Sequence, residues 1–153
     1  MFKPALMGVL SLYLLLCAGS TRAEVSCTWE SAAARYGVNP HVLYAIAKQE
    51  SSLNPYAINS NSNGSTDFGL TQINSLWLPH LKQFGINAEN LMDPCTNLHV
   101  GAYILALNVR QHGNTWNAIG AYHSNTPSLR DRYAQSIYQR LRAMGQTAEQ
   151  IRK

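Results

Sequence analysis

The chain has 153 residues, 46% apolar and 13% charged, a length and balance suited to one folded domain. Twelve Lys and Arg against eight Asp and Glu give a net charge of +4. Without Lys3 and Arg22, which belong to the N-terminal segment described next, 10 basic side chains face 8 acidic ones, an excess too small for a nucleic-acid binder.

Residues 1–23, MFKPALMGVLSLYLLLCAGSTRA, place Lys3 ahead of an apolar run and end on Thr21-Arg22-Ala23, with small residues at both positions that define cleavage. This pattern reads as a secretory signal peptide removed after Ala23. The run is shorter than the roughly 20 residues that span a bilayer. Leu16 precedes Cys17 where a lipid-attachment signal takes a small residue. A mature domain over 24–153 is therefore expected, exported to the periplasm, with no stable membrane anchor once the signal is gone. Two cysteines remain in it, Cys27 and Cys95. In an oxidising compartment they predict one disulfide between the first mature helix and the start of a later one. Neither lies in a nucleophile motif.

In chain order, CTWESAAARYG predicts a short helix closed by Gly37. Asn39 caps the next helix and Pro40 opens it. That helix runs to about Ser52, before Asn54-Pro55 stops it. Residues 57–68 form a polar loop with a small hairpin around Asn63-Gly64. LTQINSLWLPHLKQFG predicts renewed helix with a break at Pro79. CTNLHVGAYILALNVRQHG is the longest apolar segment and predicts a buried central helix ended by Gly113. TWNAIGAYHSN predicts a short helix leading into a turn. SLRDRYAQSIYQRLRAM predicts an amphipathic last helix capped by Ser128. Late basic residues, Arg130 to Lys153, suit a solvated helix face or a weak attraction to an acidic polymer or partner.

Two acids stand in contrasting settings. On the second helix Val42, Leu43, Ile46 and Leu53 share a face at 100° per residue, and Glu50 falls on that face with them. A carboxylate placed among core aliphatics is costly. Desolvation raises its pKa, so the group can hold a proton near neutral pH, as a general acid must. The alternative is a helix-end Glu reaching past the core to pair with Lys48 or an arginine. Asp67, by contrast, follows Gly64-Ser65-Thr66 in a polar loop where hydrogen bonds keep it ionised. Two carboxyls pushed apart in this way mark acid–base chemistry at a glycosidic bond. Gln72 and Asn74 supply amides suited to sugar acetamido and hydroxyl groups. Tyr44, Trp77 and Tyr122 offer flat faces for sugar rings, or simply core and rim aromatics. The five histidines are scattered without ligand spacing, so no metal cofactor is expected.

Together, KQESSLNP, NGSTDFGLTQIN and AIGAYHSN resemble the lysozyme-like lytic transglycosylases of bacterial envelopes. The resemblance is greatest to the small, single-domain kind that accompanies secretion, conjugation or pilus machines. It spans Cys27 to about Arg142 and implies a mainly α, lysozyme-like α+β fold with a small loop or hairpin lobe beside the cleft. It implies a monomer acting on peptidoglycan glycan strands, without nucleic acid and without a cofactor. By this resemblance Glu50 is the catalytic acid and then base, Asp67 an electrostatic helper, and Ser51 the residue that holds Glu50. Gln72 and Asn74 line the cleft, and Tyr122 sits over the carboxyl. Thr71 stands where the family has Met, and His123 where it has Asn. The spacing from Glu50 to Asp67 also resembles animal-type lysozymes, but those carry four disulfides and this mature chain has two cysteines. A hydrolytic lysozyme stays open as an alternative, as does a non-catalytic wall-binding or structural subunit.

Overall fold

A computed structural model describes residues 27–147 and Gln150. The signal segment 1–23 and the proposed cleavage point lie outside the described residues. Among the described residues, six α-helices and one small sheet follow in order: α1 (Trp29–Tyr36), α2 (Pro40–Ser51), β1 (Ile58–Ser60), β2 (Thr66–Phe68), β3 (Ile73–Asn74), α3 (Leu78–Leu81), α4 (Pro94–His112), α5 (Trp116–Ala121) and α6 (Pro127–Ala143). The expected mainly α fold with a small hairpin lobe is what the chain forms.

Local chemistry sets most of the helix ends. Thr28 and Ser31 form a reciprocal capping box on α1, and Gly37 closes it in the left-handed conformation. Asn39 accepts from the backbone N–H groups of His41 and Val42, with Pro40 in the first turn of α2. Asp93 caps α4 through the Thr96 N–H at 2.8 Å. The last helix departs from expectation. It begins at Pro127 with Thr126 as its N-cap, so Ser128 already lies inside it. A proline suits the first turn because its missing N–H is unneeded there.

The core is organised around α4. Its Leu105 joins Val42, Ile46, Ile119, Tyr133, Ile137 and Leu141 in a cluster that unites α2, α5 and α6. Its Leu98 and Ala102 pack with Ala32, Leu43, Ala47 and Leu70. Its Val100 and Ile104 close over Ile73, Leu81 and Leu91 beneath the sheet lobe. One helix therefore carries three clusters, as its near-continuous apolar sequence requires. Gly101 permits the close approach of the lobe, because a Cβ there would sit 2.6 Å from the Thr71 hydroxyl. Cys27 and Cys95 are bonded, which ties the chain ahead of α1 to the first turn of α4 as expected.

The sheet is antiparallel in the order β1-β2-β3, with Asn59 opposite Asp67 and Asp67 opposite Asn74. The expected helix over 70–85, broken at Pro79, is replaced by β3, a 3₁₀ turn at Ser75–Trp77, the single turn of α3 and another 3₁₀ turn at Lys82–Phe84. Gln72 has φ +51°, which breaks any helix at that point. Ile73 then pairs with Phe68 in the sheet. Asn74 caps the following turn by accepting from the Leu76 N–H at 3.0 Å. Pro79 sits in the first turn of α3, where it starts the helix instead of breaking it.

Candidate active site

Glu50 stands on the last turn of α2, at the junction between helices and sheet lobe. Burial raises its carboxyl above the ordinary carboxylate range, a hydrogen bond from Tyr133 pulls it back, and the nearby Asp67 charge adds a smaller rise, which leaves it at about 7. The Tyr133 hydroxyl donates to Glu50 Oε1. Burial, and then the Glu50 charge, hold the Tyr133 phenol well above its usual range, so it remains a neutral donor. Neither Lys48 nor any arginine pairs with Glu50 among the described residues. The ion-pair alternative is therefore replaced by a phenol–carboxyl contact between α6 and α2.

Two further contacts aim α6 at this point. The Gln49 side-chain oxygen accepts from Ser136 Oγ at 2.9 Å and from Arg140 Nε at 2.6 Å. These bonds fix the register of α6 beside Glu50. The His123 ring lies parallel to the Tyr133 ring, with centroids 5.0 Å apart and planes 3° off parallel, and covers the phenol that holds Glu50.

Asp67 lies on β2 and is gripped by amides. Asn61 Nδ2 donates to Oδ2 at 2.9 Å, and Asn74 Nδ2 donates to Oδ1 at 2.6 Å. The cross-strand pairing of Asp67 with Asn74 places the second of these bonds. Glu50 and Asp67 border one open cleft of about 960 Å³. Its walls include Asn61, Ser65, Gln72, Asn74 and Trp77 from the sheet lobe. Ile104, Asn108 and Gln111 of α4 form another part, and Tyr122, His123 and Asn125 close it after α5. A groove of this size, rich in amides and with apolar and aromatic surface, suits a sugar chain.

The expected residues fare differently in detail. Gln72 borders the cleft, but its amide nitrogen is committed to the Ala57 and Gly69 carbonyls and its oxygen accepts from Asn59. Asn74 borders the cleft too, with its amide nitrogen spent on Asp67 and Ser65. Both shape the wall, and Asn74 also holds Asp67. Tyr122 borders the cleft, while its hydroxyl donates to the Thr71 carbonyl at 3.1 Å, so it ties α5 to the sheet lobe. Ser51 does not hold Glu50. Its hydroxyl reaches the Ala47 and Leu70 carbonyls, at 3.2 and 2.7 Å, and fastens the end of α2 to the lobe. Trp77 is at the cleft, whereas Tyr44 packs edge-on against Trp29, outside the cleft lining.

Sequence reasoning missed Tyr133 and Asn61. Tyr133 shares a four-residue spacing with Ile137 and Leu141, so its position reads as core. The one signal available was a hydroxyl in an otherwise apolar stripe, which demands a partner.

A helical body clasping a three-stranded lobe, with an elevated carboxyl at their junction, defines a lysozyme-like fold. A family profile described as Transglycosylase SLT domain matches residues 27–140. The chain belongs to this family, the lytic transglycosylases that its motifs resemble. Invasion protein IagB of Salmonella typhimurium strain SL1344 is 41% identical over 131 residues, which cover 82% of each chain. Protein IpgF of Shigella sonnei is 35% identical over 133 residues, covering 84% of this chain and 87% of that protein. Among solved structures, an inactive mutant of lytic transglycosylase Slt from Pseudomonas aeruginosa shares the fold with a TM-score of 0.59 at 21% identity. The likeness covers 76% of this chain and 24% of that one, so the present chain spans about a quarter of the larger protein.

Proposed function

We propose that the mature chain cleaves the bond between N-acetylmuramic acid and N-acetylglucosamine in peptidoglycan, with Glu50 as the group that moves the proton. The observation that carries this reading is a carboxyl raised to about 7, pinned through one oxygen and bordering an amide-lined cleft. Tyr133 occupies Oε1. Oε2 has no protein partner among the described residues and is left to carry the transferable proton. Glu50 protonates the glycosidic oxygen, and the muramic ring becomes oxocarbenium-like. Glu50, now a carboxylate, takes the proton of the same sugar's 6-hydroxyl as that oxygen closes on the anomeric carbon. The product is a 1,6-anhydro end, and no water is consumed. The nucleophile is intramolecular and so arrives at high effective concentration. Asp67, held between two amides, stabilises the positive charge that develops on the ring.

A hydrolytic outcome is the second reading, favoured by one observation: a second carboxyl borders the same cleft. A retaining hydrolase uses such a group to trap the sugar before water enters. The likeness to IagB, whose name marks it as an invasion protein, supports a setting in which local wall opening serves an envelope-spanning secretion apparatus. Export to the periplasm and action as a monomer complete the reading.

The test is digestion of purified peptidoglycan by the mature chain, with the released fragments weighed. Anhydro ends are lighter than hydrolysed ends by one water. Fragments with reducing ends alone would replace the transglycosylase with a lysozyme. Glu50→Gln keeps the shape and removes the proton, and should lower the rate by about 10²–10⁴ or more. Asp67→Asn should cost less. Wild-type rates from Glu50→Gln would remove Glu50 from the mechanism.

A further inference from the structure

A second hollow, of about 300 Å³, opens beside the main cleft and shares Glu50 and His123 with it. Part of its lining is one face of α6, on which Leu129, Arg132, Tyr133 and Ser136 recur at helical spacing. The two hollows differ in charge. Glu50 and Asp67 are the carboxyl groups of the main cleft, which has no lysine or arginine in its lining, and the remaining polar lining is mostly amides and hydroxyls. In the second hollow Arg132 is the cation, and it shares the lining with Glu50.

The other arginines of α6 near this point are engaged. Arg130 pairs with Asp131 at 3.1 Å, and Arg140 donates to Gln49 at 2.6 Å. Arg132 is exposed, and its guanidinium has no hydrogen-bond or ion-pair partner among the described residues. The neighbouring carboxylate, Asp131, is taken by Arg130. An unpaired planar guanidinium at the edge of a substrate path is suited to a ligand carboxylate, which it can take in two parallel hydrogen bonds.

We propose that Arg132 and this hollow form a binding site for the carboxylates of the stem peptide attached to muramic acid. The inference rests on the reading of Glu50 as the group at the scissile bond. Each muramic residue bears a lactyl-linked peptide whose free carboxylates are its chief negative charge, whereas the glucosamine units are neutral. A strand that crosses Glu50 must send the peptide of its reacting muramic unit away from the ring plane. The second hollow adjoins Glu50 and presents the one positive group in the joint lining. The amide-lined cleft takes the neutral sugars, and Arg132 makes the site select peptide-bearing strands.

Binding tests this separately from catalysis. Glu50→Gln and the double variant Glu50→Gln/Arg132→Gln are titrated with soluble glycan strands that keep their stem peptides. They are also titrated with the same strands after an amidase has removed the peptides. Loss of the arginine should weaken binding of peptide-bearing strands about tenfold, the loss of one charge-assisted contact, and leave stripped strands within about twofold. Arg132→Lys should recover part of the difference, and added salt should shrink it. Equal affinity of the two proteins for peptide-bearing strands overturns the proposal, and so does an equal loss on both kinds of strand. Failure of the wild-type chain to cleave peptidoglycan would instead sink the reading of Glu50, while these affinities still decide the role of Arg132.

Discussion

Glu50 is set by opposing influences of unequal size. Burial and the Asp67 charge push its carboxyl up, and the Tyr133 phenol pulls it down, with a balance near 7. At that value the group holds its proton for the first step and can accept one in the second. Activity should therefore fall as pH rises through about 7, as the protonated acid is lost. Tyr133→Phe removes the contact that favours the charged form, so the carboxyl should rise further. A hydrogen bond to a charged group contributes about 1.5–3 kcal/mol, which corresponds to roughly one to two pH units. The falling limb of the pH–rate profile should move to higher pH by that amount. The maximal rate should also drop, by about tenfold or more, because Oε1 is no longer pinned. A limb that stays in place would deny Tyr133 its hold on Glu50. The two acids were legible in the sequence because each is a polar group in a telling setting: Glu50 on an apolar face, Asp67 in an amide-rich turn. Ser51 was misjudged because adjacency in sequence does not mean contact on a helix, where neighbours point about 100° apart. Tyr133 is 83 residues from its partner, and no local pattern announces a pairing of that range.

At the scale of elements, one buried amide joins the sheet lobe to the body at several points, beside the bonds from Ser51 and Tyr122. Asn97 on α4 is fully buried and accepts from both the backbone N–H and the hydroxyl of Thr71, each at 2.8 Å. Its amide nitrogen donates to the Phe68 and Leu91 carbonyls, at 2.8 and 2.9 Å. All the capacity of one side chain is spent on joining β2, the turn after it and the segment before α4. Gly69, at φ +71°, gives this amide room that a Cβ would occupy. Thr71 departs from the family's Met at a position where its hydroxyl meets Asn97, so the lobe here is fastened by polar contacts. Asn97→Leu keeps the volume and strands two carbonyls and an N–H. Each orphaned buried group costs about 1–3 kcal/mol, so the variant should lose roughly 3 kcal/mol or more in denaturant unfolding. A change below about 1 kcal/mol would show that the lobe is held elsewhere. Most helices were legible from caps and periodicity, because those signals are local. Residues 70–85 were not. A short apolar run fits strand and helix alike, and what decides it here is the sheet partner Phe68 and the buried amide of Asn97, both of which lie outside the run.

For the whole molecule, the division of labour between the core clusters predicts what the disulfide does. The Cys27–Cys95 bond closes a loop of sequence separation 68. In the chain-entropy model a loop of that size stabilises the fold by about 4 kcal/mol, through loss of freedom in the unfolded chain. The bond anchors α1, which packs through Ala32 into the cluster with Leu43, Leu98 and Ala102. The site is built elsewhere. Tyr133 belongs to the α2–α5–α6 cluster, and Ile73, Trp77 and Ile104 to the cluster beneath the lobe. The joint variant Cys27→Ala/Cys95→Ala should therefore unfold on the order of 10–20 °C lower, from that energy and the usual unfolding entropy of a domain of this size. Well below its midpoint, its specific activity should stay within about twofold of wild type, because neither cysteine lines the cleft. Thermal melts and cleavage rates at about 20 °C check both halves. A folded variant that has lost activity would mean that α1 and the bond set the cleft geometry after all. An unchanged midpoint would mean that the packing of α1 alone already carries that stability.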